Sequence, residues 1–262
     1  MKSNSVKAAG IILLIVVMLF VIRLTAGKRF GEPDFSGCIG EHYTVDVNGV
    51  SILYERAGEG RPVILLHGNG GCHQDLGLII GLLVRNGYEV YAVDSRGQGA
   101  NEPVDDYHYA DMADDVFELI QAWKLEKPAL YGWSDGGIIG LLTEIRHPGT
   151  LGMLAVSGAN VTPDGVKGIF TSSIAIANAF HPQSLSEMIL NEPHITPEEL
   201  KTVRIPVLVT AGEDDMIKTS HTEMIAEELP NAELVIFEGE DHGSYVVGNS
   251  KMGEELLRFL EK

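Results

Sequence analysis

From residue 42 onward the chain alternates short β-branched apolar runs with longer amphipathic stretches, and that rhythm restricts the folds open to it. "HYTVDVNGVSILYERAG" reads as a hairpin, two alternating strands about an Asn48-Gly49 turn. "PVILLHG" is a continuous apolar strand, the pattern of a sheet covered on both faces. A helical stretch from about His73 to Asn86 follows, ended by Gly87. The strand "YEVYAVDS" and the helix "ADMADDVFELIQAW" come next, then the strand "PALYGWS" and a helix from about Gly136 to His147, stopped by Pro148. "LGMLAVSG", "IPVLVTAG" and "AELVIFEG" complete the strands, with helices near 219–229 and 249–261. Strand alternating with helix implies right-handed crossovers and an α/β fold with a mostly parallel central sheet flanked by helices. One segment breaks the rhythm. Residues 161–203 contain no strand pattern and read as a short helical cap inserted between two strands.

The N-terminus is a separate piece. "AAGIILLIVVMLFVI", residues 8–22, is unbroken apolar sequence between Lys2 and Lys7 on one side and Arg23, Lys28 and Arg29 on the other. As a helix it is about 22 Å long, and counting on to Ala26 with Arg23 snorkelling brings it close to the roughly 30 Å hydrocarbon core. Residues 1–26 therefore read as a hydrophobic transmembrane helix and anchor. A cleaved signal peptide followed by secretion is the alternative, although Thr25-Ala26-Gly27 is a poor cleavage site beside two basic residues. Basic residues flank both ends; the short basic leader places the body outside the cytoplasm. Residues 27–41, rich in Gly and Pro at first, read as a linker, and residues 42–262 as the folded domain.

The five basic residues of the first 30 precede any acid, which leaves 14 basic against 37 acidic residues for the remainder. A body so acidic repels phosphate backbones, and nucleic acid is excluded as a partner. Cys38 and Cys72 match no metal-ligand spacing and form no disulfide framework; a single bridge between them stays open.

"LYGWSDGGIIG", residues 130–140, sets Ser134 between Gly132 and Gly136 at the junction of a buried strand and a helix. The spacing alone is a weak signal, but the junction strengthens it. A serine projecting there needs a strained turn, and side chains at minus two and plus two would collide with neighbouring backbone. A hydroxyl needs a base, and the base a carboxylate. His242, in "FEGEDHGSY", follows the last strand on the same sheet edge. His147 and His221 read as surface residues on helices, and His67 as a structural anchor of its loop. "VLVTAGEDDMIK" offers Asp214 and Asp215 as the acid, and Asp164 follows the preceding strand. The oxyanion of acyl transfer needs two preorganised donors. The N–H of Asp135, next to the nucleophile, supplies one, and that of Asn69, in the glycine-rich "HGNGG" loop, the other. That loop lacks G-x-G-x-x-G spacing and a P-loop lysine, which argues against phosphate binding.

Together "LLHGNGG", "VDSRGQGAN", "GWSDGG", "AGEDDMI" and "DHGSY" resemble the alpha/beta-hydrolase fold family, in order and over residues 42–262. The resemblance implies a Ser134, Asp215, His242 triad, since the acid commonly falls three residues after a glycine in that family. It also implies a structural job for Asp94 and Arg96 of "DSRGQG". The expected function is serine-dependent hydrolysis of a carboxylic ester or related acyl bond in a small molecule, with no organic cofactor and no metal. A carbon–carbon bond hydrolase or cofactor-free perhydrolase with the same triad, and a catalytically silent binding protein, are the rivals. Asp135 either faces the pocket, where it would favour a cationic substrate, or caps the helix it begins. Oligomeric state and substrate identity are not legible.

Overall fold

Asn48 and Gly49 both take positive φ, +47° and +79°, and join β1 (Glu41–Val47) to β2 (Val50–Ala57) as a tight hairpin. The computed structural model describes residues 39–180 and 183–262. The segment 1–26, most of the 27–41 linker and Cys38 lie outside the described residues. Among the described residues no helix is long and apolar enough to cross a membrane.

After the hairpin come β3 (Arg61–Leu66), β4 (Tyr88–Val93), β5 (Ala129–Trp133), β6 (Met153–Ser157), β7 (Val207–Gly212) and β8 (Ala232–Phe237). They make one eight-stranded sheet in the order β1-β2-β4-β3-β5-β6-β7-β8. Only β1–β2 and β2–β4 pair antiparallel; the others are parallel. The connecting helices are α1 (Gly77–Arg85), α2 (Tyr109–Trp123), α3 (Asp135–Arg146), α4 (Gly168–Phe180), α5 (Ser184–Asn191), α6 (Pro197–Leu200), α7 (Thr219–Glu228) and α8 (Lys251–Leu260).

Successive side chains of a strand point to opposite faces, and an apolar run without alternation fills both. In β3, Val63 and Leu65 pack with Ile79, Ile80 and Leu83 of α1 and Leu256 and Phe259 of α8. Ile64 and Leu66 enter the opposite core with Val116 and Leu119 of α2 and Ile138 and Ile139 of α3. β6 divides the same way, Met153 and Ala155 to one side, Leu154 and Val156 to the other.

Strand order fixes where a site can be. The chain leaves β3 for β4 on one side and returns past it to β5 on the other, which opens a crevice between the loops after β3 and β5. Those loops carry Asn69 and Ser134. Between β6 and β7 lie a 3-10 turn (Pro163–Gly165) and α4 to α6. This segment is tied to the loop after β7 by Lys167 N–H donating to Met216 O at 2.8 Å and by an isolated bridge between Val166 and Ile217.

Leu65 is fully buried, whereas Leu78 on the outer face of α1 is 51 % exposed. Leu65→Ala is expected to lower unfolding free energy by about 2–5 kcal/mol and Leu78→Ala by under about 0.5 kcal/mol. Urea unfolding midpoints of the two variants check this.

Candidate active site

Ser134 sits at φ +54°, ψ −115°, between the last residue of β5 and the first of α3. A residue with a Cβ rarely adopts this conformation, and about 1–3 kcal/mol of strain is typical of such positions. Its surroundings hold it there. Ser134 N–H donates to Ser157 O at 2.7 Å, and Ser134 O accepts from Gly137 and Ile138 N–H. The flanking glycines are steric necessities: a Cβ at Gly132 would stand 2.1 Å from Gly136 O, and one at Gly136 2.4 Å from Leu66 O.

The loop after β8 brings His242 to this turn. Its Nε2 lies 3.0 Å from Ser134 Oγ, and its Nδ1 2.7 Å from Asp215 Oδ1. Three features set the ring in place. Asp241 Oδ1 accepts the N–H groups of Gly243 and Ser244, which turns the loop. Trp133 Nε1 donates to His242 O at 2.9 Å. Gly158, at φ +58°, lies so close that a Cβ there would come 2.8 Å from His242 Cε1. Trp133 and Gly158 were invisible as site residues in the sequence, because their role depends on contacts across strands rather than on spacing.

Asp215 Oδ1 also accepts Ile217 N–H at 2.8 Å, and Lys167 Nζ donates to the Asp215 backbone oxygen. Burial opposes ionisation of Asp215, but the charge of His242 and its hydrogen bond outweigh this and hold the carboxyl below its ordinary value. His242 moves the other way. Burial disfavours the imidazolium, yet the Asp215 carboxylate prevails and lifts the pKa above 6.5. Asp214 and Asp164, the other sequence candidates for the acid, are exposed, and His242 Nδ1 has Asp215 for its partner.

Asp135 N–H opens α3, where the helix itself offers no acceptor. In the facing loop the Gly70 N–H goes to Gln98 Oε1 and the Gly71 N–H to Gly68 O, while among the described residues no acceptor takes that of Asn69. Side chains link the two positions. Asn69 Nδ2 donates to Asp135 Oδ2 and Tyr109 OH to Asp135 Oδ1, each at 2.8 Å. The carboxylate thus neither caps its helix nor presents an unengaged oxygen. Burial raises its pKa, against the lowering effect of Asn69 and Tyr109.

The supporting residues divide cleanly. His67 anchors its loop as expected, with Nδ1 donating to Gly68 O and Nε2 accepting Ser95 N–H. Asp94 accepts His73 and Ala100 N–H, and Arg96 makes a two-bond ion pair with Asp115. His221 corrects the sequence reading. It is half-buried rather than free on the surface: its Nε2 accepts Val161 N–H at 3.0 Å and it packs on Gly165.

The model of the family described as alpha/beta hydrolase fold matches residues 61–194, just over half the chain. A non-heme chloroperoxidase, CPO-A1 of Kitasatospora aureofaciens, is 29% identical over 82% of this chain and 98% of its own. The serine hydrolase BPHL of Homo sapiens is 38% identical over 44% of this chain and 42% of its own. The esterase EaEST of Exiguobacterium antarcticum superposes with a TM-score of 0.71 at 23% identity, over 86% of this chain and all of that one. The chain belongs to the alpha/beta-hydrolase fold family and is a hydrolase.

Proposed function

We propose that the chain is a serine hydrolase acting on a carboxylic ester or related acyl bond through an acyl-enzyme. Ser134 Oγ attacks the carbonyl carbon while His242 Nε2 takes its proton, and the N–H groups of Asn69 and Asp135 receive the oxyanion. The imidazolium then protonates the leaving alcohol, and acylated Ser134 remains. Water attacks next, giving its proton to His242, and the acid departs as Ser134 is restored. Asp215 holds the ring with Nδ1 protonated and stabilises the imidazolium. The observation that carries this reading is the unbroken path from Ser134 Oγ through His242 to Asp215, at 3.0 and 2.7 Å.

Asp135 fits a positioning role better than recognition of a cationic substrate, since both its oxygens are engaged by Asn69 and Tyr109. The acyl group preferred depends on the cap, whose helix α4 exposes Ile169, Ile176 and Phe180 along one side. A second reading, a perhydrolase with the same three residues, is supported by the likeness to a chloroperoxidase. The two differ only in whether water or hydrogen peroxide attacks the acyl-enzyme. The apolar run at residues 8–22 supports a further part of the proposal: residues 1–26 anchor the hydrolase in a membrane, with the domain outside the cytoplasm.

A fluorophosphonate probe should label the chain at Ser134, and Ser134→Ala should abolish labelling together with hydrolysis of p-nitrophenyl esters; labelling that survives the substitution would place the nucleophile elsewhere. Because the base must be neutral and its pKa is raised, kcat/KM should climb with pH to a plateau, with a midpoint above 6.5. Asp215→Asn removes the group that raises it, so the midpoint should move down while the plateau drops by orders of magnitude, read from the pH–rate profile. The chain should stay in the membrane pellet through alkaline carbonate extraction and keep its N-terminal residues. Recovery in the soluble fraction with an N-terminus beyond residue 26 would instead establish a cleaved leader.

A further inference from the structure

Among the described residues, one group of side chains outside the Ser134 crevice brings three metal-ligating atoms together: His42, Glu55 and His73. His42 on β1 and Glu55 on β2 are direct cross-strand partners and so share a sheet face. His73 opens the 3-10 turn that follows the "HGNGG" loop. Glu55 and His73 are each 1 % exposed, and His42 is half-buried.

The Nε2 atoms of His42 and His73 face each other at 3.3 Å. Two imidazoles bound to one zinc ion at about 2.0–2.1 Å in tetrahedral geometry have nitrogens about 3.3 Å apart. Glu55 Oε2 lies 3.7 Å from His73 Nε2, beyond a hydrogen bond. The other oxygen, Oε1, is occupied by the N–H groups of Ile39 and Gly40 at 2.8 and 2.7 Å, which aims Oε2 inward.

The tautomer is set from behind. His73 Nδ1 lies 2.8 Å from Asp94 Oδ1, an oxygen that also accepts His73 N–H. Asp94 Oδ2 accepts Ala100 N–H. A carboxylate receiving N–H donors places the ring proton on Nδ1 and turns the Nε2 lone pair toward His42 and Glu55. A carboxylate behind the ring in this way is what orients a histidine ligand in carboxylate–histidine–metal arrangements. Two histidines and one carboxylate, with a fourth position for water, suit zinc.

We propose that His42, Glu55 and His73 form a divalent-metal site of the zinc class that clamps the β1–β2 hairpin to the turn behind the oxyanion loop. The ion would act as a structural tie, separate from the steps at Ser134. Its detection needs no enzymatic activity.

The test is titration of the chelator-stripped full chain with Zn²⁺ by calorimetry and with Co²⁺ by visible absorption. One Zn²⁺ per chain is expected, with Co²⁺ giving the strong d–d bands of a tetrahedral site. Zn²⁺ should also raise the melting temperature, as any ligand of the folded state does. His42→Ala and Glu55→Gln should each weaken Zn²⁺ binding by about 100-fold or more, beyond the range usual for losing an outer-sphere partner. His42→Ala also removes the Nε2–Nε2 hydrogen bond to buried His73, so its own melting temperature in chelator is the baseline, and the Zn²⁺-induced rise above that baseline should be lost. Absence of saturable Zn²⁺ binding, or stoichiometric binding that both substitutions leave intact, would overturn the proposal and leave His73 as a hydrogen-bonded link between Asp94 and the sheet edge.

Discussion

The backbone of Ser134 is the constraint on which the rest of the site depends. At φ +54°, ψ −115° the residue lifts its hydroxyl off the end of β5 while its carbonyl already serves the first turn of α3. Such a conformation persists only where neighbours over-determine it. Here β6 supplies Ser157 O, and the glycines at 132 and 136 let Gly136 and Leu66 backbone approach to distances that no side chain permits. The strain is therefore held by the parallel sheet itself. The same packing that buries Leu66, Leu130 and Val156 fixes the turn.

That dependence explains what could be read in the chain and what could not. A mostly parallel sheet covered on both faces followed from the alternation of strand and helix patterns, since "PVILLHG" and "LGMLAVSG" had to fill two cores; the order of its strands did not. Ser134 and His242 were legible because each follows an apolar strand and lands on the same edge, whereas Asp215 was set apart from Asp214 and Asp164 only by the family resemblance. Gly158, Trp133, Tyr109 and Lys167 were not. Gly158 matters because β6 delivers it beneath an imidazole from the loop after β8, and Tyr109 because α2 carries its hydroxyl to Asp135. His221 was misjudged for the same reason: a helical position says nothing of the backbone N–H at Val161 that meets it. The His42–Glu55–His73 group needed both the hairpin register and the path of the loop after β3. Each missing piece is a contact between elements distant in sequence, and spacing carries no information about those.

The site also has an electrostatic logic, visible in its two aspartates. Asp215 and Asp135 share an ordinary carboxyl pKa and both are buried, yet they shift in opposite directions. Asp215 goes down because a chargeable imidazole lies within 2.7 Å and gains from an ionised partner. Asp135 goes up because its near partners, the Asn69 amide and the Tyr109 hydroxyl, are neutral and compensate burial only in part. Burial opposes ionisation of both, and the close imidazole and backbone donors overcome it only at Asp215.

The separation bears on the proposed chemistry. A fully charged carboxylate beside the N–H groups of Asn69 and Asp135 would oppose the negative charge that builds on the carbonyl oxygen. The Asn69 amide and the Tyr109 hydroxyl each donate to the Asp135 carboxylate and take up part of its charge, which reduces that opposition, while the Asp215 carboxylate stands on the far side of His242, where its charge stabilises the imidazolium. The acidic surface of the domain makes the arrangement more necessary still, because an oxyanion would form within a body that already carries 37 acidic residues. A polar pair at 69 and 135 therefore serves two ends. It ties the loop after β3 to the turn after β5, and it keeps the acid nearest the nascent oxyanion paired with neutral donors.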